Sequence, residues 1–218
     1  MASPARTVPD RLADPPDVTA ALLREPHAFD FFDALRRIEC AFPQKARLGQ
    51  ALRPAHEPLR LGQEPSMAFA SSPLASLVPA QADKPARLLV HFFGLLGPSG
   101  PLPLHITEYV RDRARNANDP TLARFLDIFH HRLLSLFYRT WANSRPTVSF
   151  DRPSEDRFAT YLGALCGLGT KPSLEGGPFS DLAGLHFAGR LAARPRNAEG
   201  LAAMLRALFE LNVTVEPF

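Results

Sequence analysis

The sequence predicts a helix-rich α+β fold with a few short, antiparallel strands, and three observations carry that prediction. Apolar residues recur at helical spacing over residues 26–42, 120–141 and 198–211. One compact apolar run, Leu88-Leu89-Val90 with Phe92 and Phe93, stops at Gly94 as a buried strand does. Finally, 22 prolines against 13 glycines, clustered in the first third and over residues 94–103, divide the remainder into short pieces joined by ordered loops. With 218 residues and 45% hydrophobic content, the chain buries one substantial core, or a core and a smaller lobe, without disulfides or metals.

Taken in order, residues 1–17 hold Pro4, Pro9, Pro15 and Pro16 among charged residues and read as a flexible proline-rich tail, leaving 18–218 as the helix-rich region. A helix opened by Pro26 runs to Phe42, with Phe29, Phe32, Leu35, Ile38 and Phe42 on one face. Residues 43–86 are proline-rich, with short strands expected near 58–62 and 67–69. After the strand at 88–93, Gly94–Pro103 is a proline-stiffened loop whose glycines reach backbone angles closed to other residues. A helix follows over 103–116. The next, 120–141, starts at Asp119-Pro120-Thr121 and lines one face with Leu122, Phe125, Phe129, Leu133, Leu136, Phe137 and Trp141. That face is expected in the core, with Phe129 and Leu133 at its centre.

Further on, the pattern predicts an extended piece at 147–150, a helix at 154–166, a Gly/Pro loop at 167–178, a short helix at 180–191 and a helix at 198–211. Residues 212–218 alternate apolar and polar like a half-buried strand. A last strand without a following partner predicts polypeptide beyond Phe218, and self-association of the 218-residue chain.

Formal net charge is +3, and apart from Lys45, Lys84 and Lys171 the 25 basic residues are all arginines, interleaved with Asp and Glu. This describes a solvated surface with arginine contacts rather than a nucleic-acid footprint. Cys40 and Cys166 give no disulfide framework and read as free, buried thiols. No signal-like segment and no stretch of about 18 apolar residues occurs, so a soluble cytoplasmic protein without membrane insertion is expected.

The candidate chemistry is thin. His130 and His131 are adjacent on a helix, pointing about 100° apart, and make a poor metal pair. His105 and Glu108 share a helix face, with His91 or His131 as an imaginable third ligand, which defines a metal-dependent hydrolase as one alternative; a basic nucleic-acid adaptor is another. Ser99 lacks the spacing of a nucleophile elbow, and Gly94, Gly97 and Gly100 are not followed by a phosphate-binding Gly-Lys-Ser/Thr. No catalytic, cofactor or metal residues are therefore assigned. Arg132, Tyr138 and Arg139 project away from the expected core face and are candidate partner-contact residues, of types enriched at protein interfaces.

The run Phe93-Gly-Leu-Leu-Gly-Pro-Ser-Gly-Pro-Leu-Pro-Leu-His-Ile-Thr-Glu-Tyr-Val-Arg-Asp-Arg113, followed by Phe125-Leu-Asp-Ile-Phe-His-His-Arg-Leu-Leu-Ser-Leu-Phe-Tyr-Arg-Thr-Trp141, resembles the TssG family of type VI secretion, also called ImpH or VasB. Phe31-Phe32-Asp-Ala-Leu-Arg-Arg-Ile-Glu39 and Leu59-Arg-Leu-Gly62 are similar to family features in the same order. The resemblance implies a subunit of the baseplate wedge, one copy joining two copies of TssF and engaging TssK. It implies scaffolding, with no cofactor and no catalysis. Family members usually continue further, so the chain looks like an N-terminal portion.

Overall fold

The computed structural model describes residues 15–53, 56–81, 85–169 and 181–216. The chain divides into two compact units, Met1–Val148 and Ser149–Phe218.

In the first unit, helices α1 (Pro15–Arg24) and α2 (Phe31–Ala41) are separated by a 3-10 turn at Pro26–Ala28. Helix α1 therefore begins inside the stretch read as a tail; residues 1–14 lie outside the described residues. The helix expected from Pro26 is really that turn plus a separately capped α2. The cap is the Asp30 carboxylate, which accepts the N–H of Phe32 at 2.9 Å and of Asp33 at 3.4 Å. Helix α2 buries Phe31, Ala34, Leu35 and Ile38.

Three strands follow: β1 (Arg60–Gln63), β2 (Leu74–Val78) and β3 (Arg87–Val90), in the order β1-β3-β2. Strand β3 is central because Leu88, Leu89 and Val90 are all buried, so the strand is covered on both faces. It pairs antiparallel with β2 but parallel with β1, placing Arg60 opposite Arg87. The sheet is thus mixed where antiparallel pairing was expected, since β3 returns after β2 to lie between β2 and β1. Residues 67–69 form no strand, and β3 ends before Phe92.

Helices α3 (Leu104–Asn116) and α4 (Thr121–Asn143) close the unit. Its main core joins Val18 and Leu22 of α1, the buried face of α2, the sheet leucines, and Leu134 and Tyr138 of α4. A smaller cluster, Leu96, Val110, Ala123 and Leu126, seats the 94–103 loop between α3 and α4. Within that loop Gly97 takes φ +90°, as its composition predicted, and donates its N–H to Thr107 Oγ1 at 2.9 Å.

Helix α5 (Pro146–Phe150) spans the division and replaces the expected extended piece; its proline occupies the first helical position, where the missing N–H costs nothing. The second unit contains α6 (Arg157–Leu165), α7 (Asp181–His186), α8 (Ala188–Ala192) and α9 (Ala198–Phe209). Asp156 caps α6 by accepting from Phe158 and Ala159, and Asn197 caps α9 by accepting from Gly200. The single helix expected at 180–191 is broken in two.

No strand forms over the described residues 212–216; the Val213 carbonyl instead accepts from Arg206 Nε at 2.6 Å. Alternation makes a strand only where a neighbour supplies the ladder, and none of the described segments does. The self-association expected from that strand loses its basis. The 170–180 segment and the last two residues lie outside the described residues.

Candidate protein-contact site on the long helix

Helix α4 has 23 residues, about 35 Å at 1.5 Å per residue, and divides into three faces. Its buried residues are Ala123, Leu126, His130, Leu134, Ser135 and Tyr138. This corrects the sequence reading, which put Phe129 and Leu133 at the centre of the core: they are 48% and 41% exposed. The expected face was rotated because aromatic residues were weighted over His, Ser and Tyr, whose polar ends are all satisfied inside.

A second face holds those polar ends and ties α4 to the loops and β1. Asp127 Oδ1 accepts the Gln63 N–H at 3.2 Å and lies 3.2 Å from His130 Nδ1. His130 Nε2 accepts the Leu95 N–H at 3.0 Å, which leaves its proton on Nδ1 to donate to Asp127. His131 takes the opposite tautomer: its Nδ1 accepts from Leu61 N–H at 3.1 Å, and Nε2 sits 2.9 Å from Glu57 Oε2, in contact but off the line of a full hydrogen bond. Each adjacent histidine thus bridges one backbone N–H and one carboxylate. Burial pushes the Asp127 carboxyl up, yet hydrogen bonds from His130, Arg124 and the Gln63 N–H outweigh it and hold the group below its ordinary range.

Three further ties complete this face. Gln63 clamps both backbone groups of Leu96, donating from Nε2 at 2.7 Å and accepting at Oε1 at 2.9 Å. Buried Glu39 accepts from the Leu48 N–H at 2.7 Å and from the Tyr138 hydroxyl at 2.9 Å. Burial, followed by the Glu39 charge and its hydrogen bond, pushes the Tyr138 phenol far above its ordinary value. At Gly49, φ is +73°, the N–H reaches Glu57 Oε1, and the carbonyl accepts from Arg139 at 2.8 Å and Arg132 at 3.3 Å. A Cβ there would meet Arg139 Cδ at 2.8 Å and Ser135 Cβ at 3.0 Å, so neither the angle nor the space admits another residue.

The three candidate contact residues therefore work largely within the chain: Tyr138 is buried against Glu39, and Arg132 and Arg139 hold Gly49. Glu39, Glu57, Gln63 and Asp127 were not singled out from sequence, although a lone acidic residue three positions before His130 on an apolar helix was a usable signal.

The third face is apolar and open. Phe125, Phe129, Leu133 and Leu136 recur at helical spacing and are all exposed, with Phe125 and Phe129 packed edge to face, 5.6 Å between centroids. Beside it, Phe137 stacks on Phe93 and joins Phe31, Phe32 and Trp141 in an aromatic cluster at the edge of the core. The strip is a contiguous apolar surface on one face of a long helix.

The remaining candidates stay apart. His105 and Glu108 are exposed on α3, and among the described residues no group of three His, Cys, Asp or Glu is placed to hold a metal. Ser99 is an exposed loop residue. Neither Cys40 nor Cys166 is in a disulfide, and both are only half-buried, where full burial was expected. Among the described residues no helix is long and apolar enough to cross a membrane.

A helix fixed by polar ties and presenting an uncovered apolar face belongs to a protein that works by contact with other proteins. The family comparison makes the class specific: the family described as "Type VI secretion, TssG" matches residues 25–218, and the chain belongs to that family. It is a component of the type VI secretion baseplate and interacts with other baseplate components. Comparison with curated proteins and with solved structures gave no match.

Proposed function

We propose that the chain is a scaffolding subunit of the baseplate wedge, one copy holding two copies of TssF and engaging TssK in the cytoplasm, without catalysing a reaction. The observation that supports this reading is the exposed strip Phe125, Phe129, Leu133 and Leu136 on α4. Aromatic side chains on a rigid element make strong anchors because little conformational freedom is lost when a partner covers them. Of the candidate contact residues, Arg132 alone is exposed, and it lies one helical turn from Ile128 and Leu136, beside the strip. Arg139 and Tyr138 support it from within.

The test is co-expression with TssF and TssK, followed by size-exclusion chromatography with light scattering. A stable complex containing two TssF per chain is expected. In the F125S/F129S variant, TssF should be lost while the chain alone still folds and unfolds cooperatively, at a midpoint lowered by only a few degrees. Undiminished TssF binding by a folded F125S/F129S chain would move the contact away from α4, and absence of any complex would end the scaffold reading.

A further inference from the structure

Next to the apolar strip, on the side of α4 carrying Asp127 and His131, lies an open cleft of about 490 Å³. Four arginines line it, Arg60, Arg87, Arg124 and Arg132, against two carboxylates, Glu57 and Asp127. The carboxylates are already engaged. Asp127 is held by Arg124 at 2.7 Å, by His130 and by the Gln63 N–H. Glu57 is held by the Gly49 N–H at 2.8 Å and His131. Arg132 is engaged as well, through the Gly49 carbonyl.

Arg60 and Arg87 are different. The parallel pairing of β1 with β3 sets them directly opposite each other, side by side at the cleft wall. Both are half-buried, and neither has an ion pair or a side-chain hydrogen bond among the described residues. Like charges placed opposite on neighbouring strands destabilise a sheet. Burial lowers the Arg60 pKa, with Glu57 partly offsetting it; Arg87 is lowered by burial and then by repulsion from Arg124, with Asp127 opposing. Among the described residues these two guanidinium groups thus have unused donors, each a bidentate fork for an oxyanion.

We propose that this cleft binds an acidic segment of a partner protein, an Asp or Glu side chain lying between Arg60 and Arg87 with apolar neighbours at the mouth. The proposal takes from the assembly reading only that the carboxylate belongs to a protein. The cleft mouth carries Ile128, 65% exposed, and Leu52, 101% exposed. These two offer nothing to a bare inorganic ion but pack on the apolar residues flanking an acidic one. Glu57 and Asp127 in the walls also repel a dianionic phosphate more strongly than a single carboxylate. Charge and apolar character together select an acidic–apolar peptide.

Panning a random peptide library on the immobilised full chain reads this directly and does not depend on TssF. Selected peptides are expected to carry Asp or Glu flanked by Leu, Ile or Phe. The best of them, measured by fluorescence anisotropy, should bind the R60Q/R87Q variant at least about tenfold more weakly, lose the same factor when its acidic residue is changed to amide, and weaken as NaCl is raised.

Thermal denaturation supplies the second readout. R60Q and R87Q, each removing one of two repelling cations, should be at least as stable as the parent chain. Peptides without acidic enrichment, equal binding by R60Q/R87Q, or a midpoint drop of several degrees in R87Q would each overturn the proposal, the last by making Arg87 a structural residue. Displacement of the peptide by inorganic phosphate at lower concentration than by glutarate would assign the cleft to phosphate instead. If acidic peptides are selected but TssF does not bind, the scaffold reading fails and the cleft survives; the reverse result separates them the other way.

Discussion

Replacing Phe129 and Leu134 separately by alanine tests which face of α4 is inside. Leu134 is fully buried in the main core beside Tyr138, so Leu134→Ala removes buried methyl groups and leaves a cavity, costing about 2–5 kcal/mol. Phe129 is 48% exposed. Fully burying a phenylalanine is worth roughly 1.5–3 kcal/mol, so half-burial amounts to about 1 kcal/mol, and alanine recovers roughly 0.5 through its better helix propensity. A site open to water adds no cavity. Phe129→Ala should therefore cost less than about 1 kcal/mol. Urea denaturation followed by Trp141 fluorescence is suited to the measurement: it is the chain's single tryptophan, lies in the first unit and stacks on Phe32 at 4.8 Å. A loss of 3 kcal/mol or more in Phe129→Ala, with less than 1 in Leu134→Ala, would refute the orientation described above.

Tyr138→Phe leaves the ring in place but takes one partner from buried Glu39, and a hydrogen bond to a charged group is worth about 1.5–3 kcal/mol, read by the same denaturation. Gly49→Ala puts a Cβ at φ +73° against Arg139 and Ser135, and should cost at least about 1–3 kcal/mol; a change below 0.5 would show that the loop shifts freely. Asp119, held by the Thr121 hydroxyl, Arg113 and the Thr121 N–H, has its pKa lowered to about 2, and Asp127 is lowered too. Both carboxylates are depressed in the fold, so their stabilisation is complete above the unfolded value near 4 and is lost as pH falls through the folded values. An NMR titration that places the Asp119 midpoint near 4 would contradict this. Isotope-resolved histidine spectra should show neutral His130 protonated at Nδ1 and neutral His131 at Nε2, the opposite assignment counting against the ties drawn from Leu95 and Leu61.

Much of the fold was legible because its signals are local. Asp119-Pro120-Thr121 marks the start of α4, the repeating leucines mark α9, and Gly94 closes the apolar run that becomes the central strand. The errors fall where the deciding partner is distant. Strand β1 lies beside β3 through a pairing that skips β2, and nothing within either four-residue segment says whether it is parallel. Residues 212–216 have the alternation of a strand but no neighbour among the described segments. The buried face of α4 depends on the Leu61 and Leu95 N–H groups and on Glu39, 70, 35 and 99 residues from the histidines and tyrosine they meet. Seen from sequence alone, His130 and Tyr138 look like surface, and Phe125 and Phe129 look like core.

The polar ties also explain how α4 can keep its apolar strip outside. Turning the helix to bury Phe125, Phe129, Leu133 and Leu136 would gain roughly 1 kcal/mol for each half-exposed side chain, about 4 in all. The same turn would withdraw Tyr138 from Glu39, His131 from Glu57 and His130 from Asp127. Taking a hydrogen bond from a buried or nearly buried charge costs about 1.5–3 kcal/mol, so losing those to Glu39 and Asp127, together with the His131–Glu57 contact, offsets the gain even before Leu126 and Leu134 leave the core. Apolar attraction has no preferred direction, whereas each tie demands one side chain at one place, so the ties set the rotation of the helix. The apolar strip is then left for another surface to cover. A chain that belongs to an assembled baseplate can hold such a strip open because its orientation never depended on burying it.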